Sequence, residues 1–138
     1  MVRQNMHQVP LHQLLNSPSG GVARELLKRG YKVQARAKLL ISGAGAGHPK
    51  RVRTGLLRSS IQVRLRMVTG LSCRVGTSVW YARLIHDGTG LYGPRHHKIY
   101  PQRAKRLRWR VGGKVIYATS IKGMRKNQFL KDALSAAG

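Results

Sequence analysis

The chain has 138 residues and a formal net charge of +24 at pH 7, because 27 residues are Lys or Arg and only three are acidic. The length is typical of one domain, and a hydrophobic content of 41% suffices for a modest core. Membrane insertion is not expected, because no apolar run approaches the roughly 20 residues of a spanning helix. Residues 1–15 lack the apolar stretch of a signal peptide, and one cysteine cannot build a disulfide framework. We therefore expect a cytoplasmic origin.

Residues 1–16 follow no sustained period and predict an N-terminal arm or a short extra helix, ahead of a single domain over residues 17–138. A long helix is predicted from Ser17-Pro18, where Ser caps and Pro fits the first turn, to near Ser42. Its apolar residues recur at spacings of three and four, as in an amphipathic helix. That face consists of Val22, Leu26, Gly30, Val33, Ala37 and Leu40. Glycine in a helix interior costs about 1 kcal/mol relative to alanine, so we expect a close packing contact at Gly30.

The middle of the chain predicts β structure, after a glycine-rich basic loop over residues 43–53. Residues 61–68 alternate apolar with polar or basic side chains as far as Met67 and end in Val68, which is the period of a half-buried strand. Thr69-Gly70 predicts a turn, and residues 71–75 return to complete an antiparallel hairpin. Residues 79–85 are apolar and aromatic, and they fit either a strand or a short helix.

A second basic loop, residues 90–98, precedes the clearest strand of the sequence. Residues 106–111 alternate arginines with large apolar side chains, Gly112-Gly113 turns the chain, and residues 114–121 return. Residues 127–137 predict a short helix. Its apolar side consists of Phe129, Leu130, Ala133 and Leu134. The expected fold class is α+β, with a long N-terminal helix and a short C-terminal helix packed on an antiparallel sheet with long basic loops.

Catalytic and metal-binding residues are not evident in the sequence. Asp87 and Asp132 lie far apart in sequence, at a predicted turn and on the predicted C-terminal helix, so the paired carboxylates of acid–base catalysis would require a chance juxtaposition in the fold. Cys73, His86 and Asp87 could be combined on paper, but a lone cysteine in a strand is far more often a small core residue. The adjacent His96-His97 pair and the other histidines lack the spacing of a zinc signature. We expect a protein that is not an enzyme and that holds no cofactor or metal.

Basic clusters are the one positive chemical signal. Three acidic residues cannot neutralise 27 cations, and self-repulsion opposes folding of the isolated chain, so an external anion is expected. Arginines that project from one side of a strand must face water, phosphate or carboxylate, because they cannot be buried unpaired. The candidate contacts with DNA or a protein partner are Lys50, Arg51, Arg53, Arg58, Arg64, Arg66, Arg95, Lys98, Arg106, Arg108 and Arg110.

Aromatic side chains make up only 6% of the chain, so a stacking platform for single-stranded nucleic acid is weakly supported. The larger ones fall mainly in the predicted strands, where we expect core or rim positions. These residues are Trp80, Tyr81, Tyr100, Trp109 and Tyr117. The chain has no helix-turn-helix, zinc-finger or RNA-recognition signature, so readout of a base sequence is not expected.

The order of several short motifs resembles that of a family of minor tail components of long-tailed bacteriophages, also called tail-completion, head–tail joining or neck proteins. Thr54-Gly55-Leu56-Leu57-Arg58-Ser59-Ser60-Ile61 is similar to the family motif Thr-Gly-x-Leu-x-x-Ser-Ile, which follows a long first helix. Val75-Gly76-Thr77, then Tyr81-Ala82 and Gly88-Thr89, resemble its Val-Gly-Thr…Tyr-Ala…Glu-x-Gly-Thr segment.

The second half of the resemblance begins with Ile99-x-Pro101 and the Leu107-x-Trp109 strand, which match the next block of the family pattern. Gly123, Phe129-Leu130 and Ala133-Leu134 resemble its closing Gly…Pro-Phe-Leu…Ala-Leu helix. Each motif alone is weak, and the specificity comes from their order and spacing.

The resemblance covers residues 17–136, with two departures. His86-Asp87 stands where the family has a Glu before Gly-Thr, and Gln128 stands in place of its Pro. The extreme positive charge is also not expected of the family generally. None of these departures alters the expected fold.

The resemblance implies a structural virion protein of the neck, located in the host cytoplasm during assembly. It implies a homo-oligomeric ring with six-fold or related symmetry that joins the tail tube to the head connector and contacts the neighbouring head-closure, tail-terminator and tail-tube proteins. Gly55, Gly76 and Gly88 would then form turns, whereas Tyr81 and Phe129 would serve packing. Genomic double-stranded DNA passes through such a junction, so lumen-facing arginines would contact phosphate without reading sequence.

Two questions stay open at the level of the sequence. The arginines could dock on acidic neighbouring rings as well as on DNA. The charge alone also fits a nonspecific nucleic-acid-binding basic protein, similar in charge to a ribosomal protein. A small basic nuclease or toxin would need an acid or a histidine cluster that the sequence does not present.

Overall fold

A computed structural model describes residues 11–50, 54–67 and 70–137. The predicted α+β class is confirmed. The helices are α1 (Leu11–Asn16), α2 (Gly21–Ile41), α3 (Leu56–Ser59), α4 (Ala82–Asp87) and α5 (Phe129–Ser135), and the strands are β1 (Gln62–Met67), β2 (Leu71–Gly76), β3 (Leu107–Val111) and β4 (Lys114–Ala118). A single 3₁₀ turn spans Gly90–Tyr92.

The long helix α2 begins three residues later than Ser17-Pro18 predicted and ends where expected, at Ser42. The Ser17 hydroxyl lies 3.3 Å from the Ser19 hydroxyl instead of capping the helix, and the Gly20 N–H closes a turn on the Ser17 carbonyl at 3.1 Å. Gly20 precedes the first helical turn with an extended backbone. The predicted cap position was therefore wrong, because the serine is used in a separate turn.

The buried face of α2 follows the predicted helical spacing closely, although Val22 and Leu26 are only half-buried. The close packing predicted at Gly30 is confirmed. A Cβ atom at Gly30 would lie 2.6 Å from Cys73 Sγ and 2.7 Å from Val63 Cγ1. The missing side chain lets the β1–β2 hairpin approach the helix backbone, which offsets the low helix propensity of glycine.

The hydrophobic core lies between α2, α5 and the segments around α3 and α4. Phe129, Ile41 and Ile61 are almost completely buried in it. The remaining buried side chains of this cluster are Val33, Ala37, Leu40, Leu57, Ala82, Ile85 and Ala133. Leu134, predicted on the apolar side of the C-terminal helix, is 66% exposed, so that part of the prediction was wrong.

The strands form two separate two-stranded antiparallel sheets, β1–β2 and β3–β4. In the first, Arg64 is paired with Arg74, and in the second, Trp109 is paired with Ile116. The β3–β4 connection is the predicted Gly112-Gly113 turn, and both glycines have positive φ angles, 54° and 82°. This is the type I′ geometry that matches the twist of a hairpin, and glycine adopts it without strain.

Residues 79–85, left open between strand and helix, lead into α4. Three of the five aromatic residues predicted as core or rim are exposed instead: Trp80 is 79% exposed, Tyr100 62% and Tyr117 56%. For these three the prediction was wrong, because Trp80 and Tyr100 lie outside the strands and Tyr117 lies opposite Arg108. Tyr81 packs against the core and Trp109 is half-buried, as predicted. Over the described ranges, no helix has the length and apolar character needed to cross a membrane.

Candidate functional site

Each of the three carboxylate side chains of the protein lies close to a basic side chain. Glu25 Oε1 lies 3.2 Å from Arg29 Nε on α2. Asp132 Oδ2 lies 3.2 Å from His48 Nε2. Asp87 lies 3.5 Å from Arg83 Nε and accepts a hydrogen bond from His86 Nδ1 at 2.9 Å, which with Arg83 holds the pKa of Asp87 below its usual value.

The outer face of the β1–β2 hairpin carries arginines on both strands. Arg64 and Arg66 project from β1 as the sequence predicts, and both are exposed. Arg74 lies directly opposite Arg64 in the register. Sequence reasoning missed Arg74, because only the register of β2 against β1 reveals the pair. Like charges in directly opposed positions destabilise a sheet.

The β3–β4 hairpin has two chemically different faces, because alternate residues point to opposite sides. One face carries Arg108 opposite Tyr117 and Arg110 opposite Val115. The other face is apolar except for Lys114. It consists of Leu107 with Ala118, Trp109 with Ile116, and Val111 with Lys114. Arg106 lies in the bend immediately before β3 and is exposed, so the register places only Arg108 and Arg110 of the three predicted arginines on one face.

The second basic loop forms one wall of an open cleft of about 550 Å³. Arg95 and Lys98 line it together with Arg83 and the carboxylate Asp87 from α4. The loop is held by backbone hydrogen bonds from Thr89 N–H to the Met124 carbonyl at 2.9 Å and from Leu91 N–H to the Lys122 carbonyl at 2.7 Å. The described loop is thus an ordered cationic surface on the core.

The first basic loop is tied to the core by a contact that sequence reasoning missed. Asn127 is 1% exposed, and its Oδ1 lies 2.6 Å from His48 Nδ1, which must donate because an amide oxygen only accepts. The Asn127 amide donates to the Pro49 carbonyl at 3.3 Å, and its backbone N–H donates to the Ile85 carbonyl at 2.9 Å. Lys50 follows this anchor and is exposed.

The remaining predicted contacts divide between described and undescribed residues. Arg58 is exposed in the last turn of α3. Arg51 and Arg53 lie outside the described residues. The structure thus brings the candidate cations to several surfaces: Arg64 and Arg66 to one hairpin, Arg106, Arg108 and Arg110 to the other, and Arg95 and Lys98 to the cleft.

The five motif residues have distinct positions. Gly55 precedes α3 with a φ of 79°. At Gly88, φ is 81° and a Cβ atom would lie 2.7 Å from the Tyr92 carbonyl oxygen, so glycine is required there. Gly76 is the last residue of β2, paired with Gln62, so the expected turn at this position was wrong. Tyr81 packs against the core, and Phe129 is fully buried in it.

The residues considered for catalysis lie in different surroundings. Cys73 lies on β2 toward Gly30, and burial raises the pKa of its thiol. His86 contacts Phe129 with ring centroids 5.6 Å apart and is hydrogen-bonded to Asp87. Within the described ranges, no group of three or more His, Cys, Asp or Glu residues is arranged to hold a metal ion.

Comparison of the chain with models of known protein families, with curated proteins and with solved structures finds no match.

Proposed function

We propose that this chain is a structural subunit of the neck of a long-tailed bacteriophage, which forms a homo-oligomeric ring between the tail tube and the head connector and works without catalysis. The ordered motif series over residues 17–136 motivates the identity of the assembly. The exposure of the β3–β4 hairpin supports assembly with other copies of the chain.

None of the residues Leu107–Ala118 is buried in the single chain. An isolated two-stranded hairpin is marginally stable in water unless another layer covers its apolar face. Here that face holds Trp109 opposite Ile116, and Ile116 is 40% exposed. A second copy of the chain would supply the missing layer, as a ring subunit does for its neighbour.

The opposite face of the same hairpin suits a role in the lumen of the ring. Arg108 and Arg110 share one face of β3, Arg106 precedes them in the adjoining bend, and the chain from Gly88 to Lys131 contains no acid. DNA passing through the ring presents phosphates without a fixed base sequence, and arginines bind phosphate through charge and paired N–H donors. One hairpin would thus bind a neighbour with one face and DNA with the other.

Neighbouring variants on the two faces test the assembly directly. Ile116→Asp places a charge on the apolar face, whereas Val115→Asp places the same charge on the arginine face. We expect wild type and Val115→Asp to form rings by electron microscopy and light scattering, and Ile116→Asp to be monomeric. Hydrogen exchange of residues 107–118 should slow on assembly. A monomeric wild type at high concentration, or equal assembly of both variants, would contradict the hairpin as the ring contact.

Location in the particle tests the identity of the assembly. Antibody labelling of purified virions that carry this gene should place the chain at the head–tail junction, and mass spectrometry should find it in the particle. Absence of the chain from the particle would contradict the proposed location in the neck.

A nonspecific nucleic-acid-binding protein is the second candidate, favoured by the arginine faces that no carboxylate side chain neutralises. Counterion release predicts that the logarithm of duplex affinity falls with the logarithm of salt, by about 0.9 per phosphate contacted. Tight, steeply salt-dependent binding by a chain that forms no ring would favour this candidate. Negligible affinity at low salt would remove it and favour acidic protein partners.

A further inference from the structure

The β1–β2 hairpin has a charge arrangement that the isolated chain does not neutralise. Arg64 and Arg74 are direct cross-strand partners. Side chains in such positions have Cβ atoms about 5 Å apart, and like charges there repel. Both arginines are exposed, and the three carboxylate side chains are engaged elsewhere, by Arg29, Arg83 with His86, and His48.

A small cleft of about 200 Å³ lies where these two arginines meet the end of the hairpin. Beside Arg64 and Arg74 it is lined by polar groups and by one residue without a side chain. These are Ser60, Gln62, Thr77, Ser78 and Gly76. The lining therefore combines two arginines with polar side chains, and it contains no acid.

Hydrogen bonds fix the wall of this cleft. The Ser60 hydroxyl donates to the Leu57 carbonyl at 2.9 Å, so the Thr77 hydroxyl, 2.6 Å away, is the donor to Ser60 Oγ. Thr77 Oγ1 accepts the Val79 N–H at 3.1 Å. Arg64 Nη2 donates to Gln62 Oε1 at 2.9 Å. Because that bond uses the Gln62 oxygen, the amide N–H groups of Gln62 stay available as donors beside the cleft.

Gly76 explains why the cleft is open. It is paired with Gln62 and shares a strand face with Arg74, two residues earlier. A Cβ atom at Gly76 would meet nothing within 4 Å. The glycine therefore leaves open space in the lining of the cleft, next to Arg74 and Thr77.

We propose that this cleft is an oxyanion site that binds a phosphate group between Arg64 and Arg74. Two guanidinium forks match the geometry of a tetrahedral oxyanion, and the bound charge would cancel the repulsion between the arginines. The ligand is either inorganic phosphate or a phosphodiester of a nucleic-acid backbone. This inference does not depend on a neck location or on ring formation.

The first experiment uses inorganic phosphate against sodium chloride of equal ionic strength, with thermal unfolding and the backbone amide NMR shifts of residues 76–78 as measurements. We expect phosphate to stabilise the wild type and to move those amides. Arg74→Gln should weaken phosphate binding about tenfold or more, because it removes one charged donor group. It should also raise the unfolding midpoint in chloride, since it removes the repulsion.

Two further variants separate the site from the general charge of the protein. Arg108→Gln removes an equal charge from the other hairpin and should leave phosphate binding within about twofold of wild type. Gly76→Val should fold, because the added atoms enter open space, and should block the cleft. An equal loss in Arg74→Gln and Arg108→Gln, or no amide response of residues 76–78 in the wild type, would overturn the proposal.

A short DNA duplex identifies the source of the phosphate. If the duplex displaces inorganic phosphate from wild type, with the same residues 76–78 responding, the site takes a backbone phosphodiester. If inorganic phosphate binds and the duplex leaves residues 76–78 unchanged, the site takes free phosphate. Duplex binding that Arg74→Gln and Gly76→Val do not weaken, together with no response to inorganic phosphate, would refute the site.

Discussion

The two hairpins share a sequence pattern and differ in what covers their apolar faces. On β1–β2, Val63 and Cys73 pack against the backbone of α2 at Gly30. On β3–β4, the face that carries the Trp109–Ile116 pair is more open, with Ile116 40% and Val111 56% exposed. Both hairpins turn arginines outward. The same alternation therefore marks a layer of the core in one hairpin and, in our proposal, a contact with another subunit in the other.

This difference divides the molecule into an anchored part and a projecting part. Burial of apolar surface is the dominant favourable contribution to folding, at about 25 cal/mol per Å². The anchored part, which comprises α2, α5 and β1–β2, contains the fully buried Phe129 and Ile41. Substitutions in it should cost stability, whereas substitutions in the β3–β4 hairpin should cost assembly or binding.

The largest expected contrast is between two aromatic residues. Phe129→Ala should lower the free energy of unfolding by about 3–5 kcal/mol, because it empties a fully buried site between α2 and α5. Trp109→Ala should lower it by about 1 kcal/mol or less, because the ring is only half-buried. Denaturant unfolding of the monomeric chain measures both, and equal losses would place β3–β4 in the core.

The elements behind this contrast were largely predictable, because local periodicity specifies them. The spacing around Val33 and Ala37 predicted the buried face of α2, and Gly112-Gly113 predicted the tight turn of the second hairpin. Which layer would cover each hairpin was not predictable, since an alternating strand looks alike in both cases. Leu134 failed for a similar reason: it satisfies the helical period but lies beyond the edge of the core.

Gly30→Leu tests the close approach that anchors the first hairpin. Even a Cβ atom would lie 2.6 Å from Cys73 Sγ, so a leucine must push β1–β2 away from α2. We expect a loss of about 3 kcal/mol, at the upper end of the cost of overpacking. Gly21→Ala is the matched control: it lies on the same helix with nothing within 4 Å, and should stabilise slightly. A neutral Gly30→Leu in denaturant unfolding would contradict the contact.

Asn127→Ala tests whether the first basic loop belongs to the anchored part. The substitution leaves His48 Nδ1 and the Pro49 carbonyl without their side-chain partner, in a site where Asn127 is 1% exposed. We expect a loss of about 2 kcal/mol and faster hydrogen exchange in residues 43–50. The neighbouring Gln128→Ala should leave that exchange unchanged. Exchange that stays slow in Asn127→Ala would show that the loop is held by other contacts.

The candidate sites were less predictable than the fold, because they depend on pairs distant in sequence. Arg64 and Arg66 were recognisable as an exposed strand face, but Arg74 joins them only through the register of β2. His48 and Asn127 are 79 residues apart, and neither carries a local signal of their contact. A charge count identifies the need for an anion, whereas the positions of the anion sites require the tertiary structure.

The smallest expected effect is the pH dependence of stability that Asp87, the last residue of α4, contributes. The hydrogen bond from His86, with help from Arg83, lowers the folded-state pKa of this carboxyl, so its ionised form stabilises the fold. That contribution is present above the unfolded pKa of about 3.9 and is lost as the pH falls through the lower folded value. Because the side chain is 37% exposed, the effect should be a small shift in the thermal unfolding midpoint.

Asp87→Asn should therefore unfold slightly more easily than wild type at neutral pH, and the two thermal midpoints should converge at acidic pH. A difference that grows as the pH falls would reverse the sign of this argument, whereas Trp109→Ala should show a pH-independent difference because it removes no titrating group.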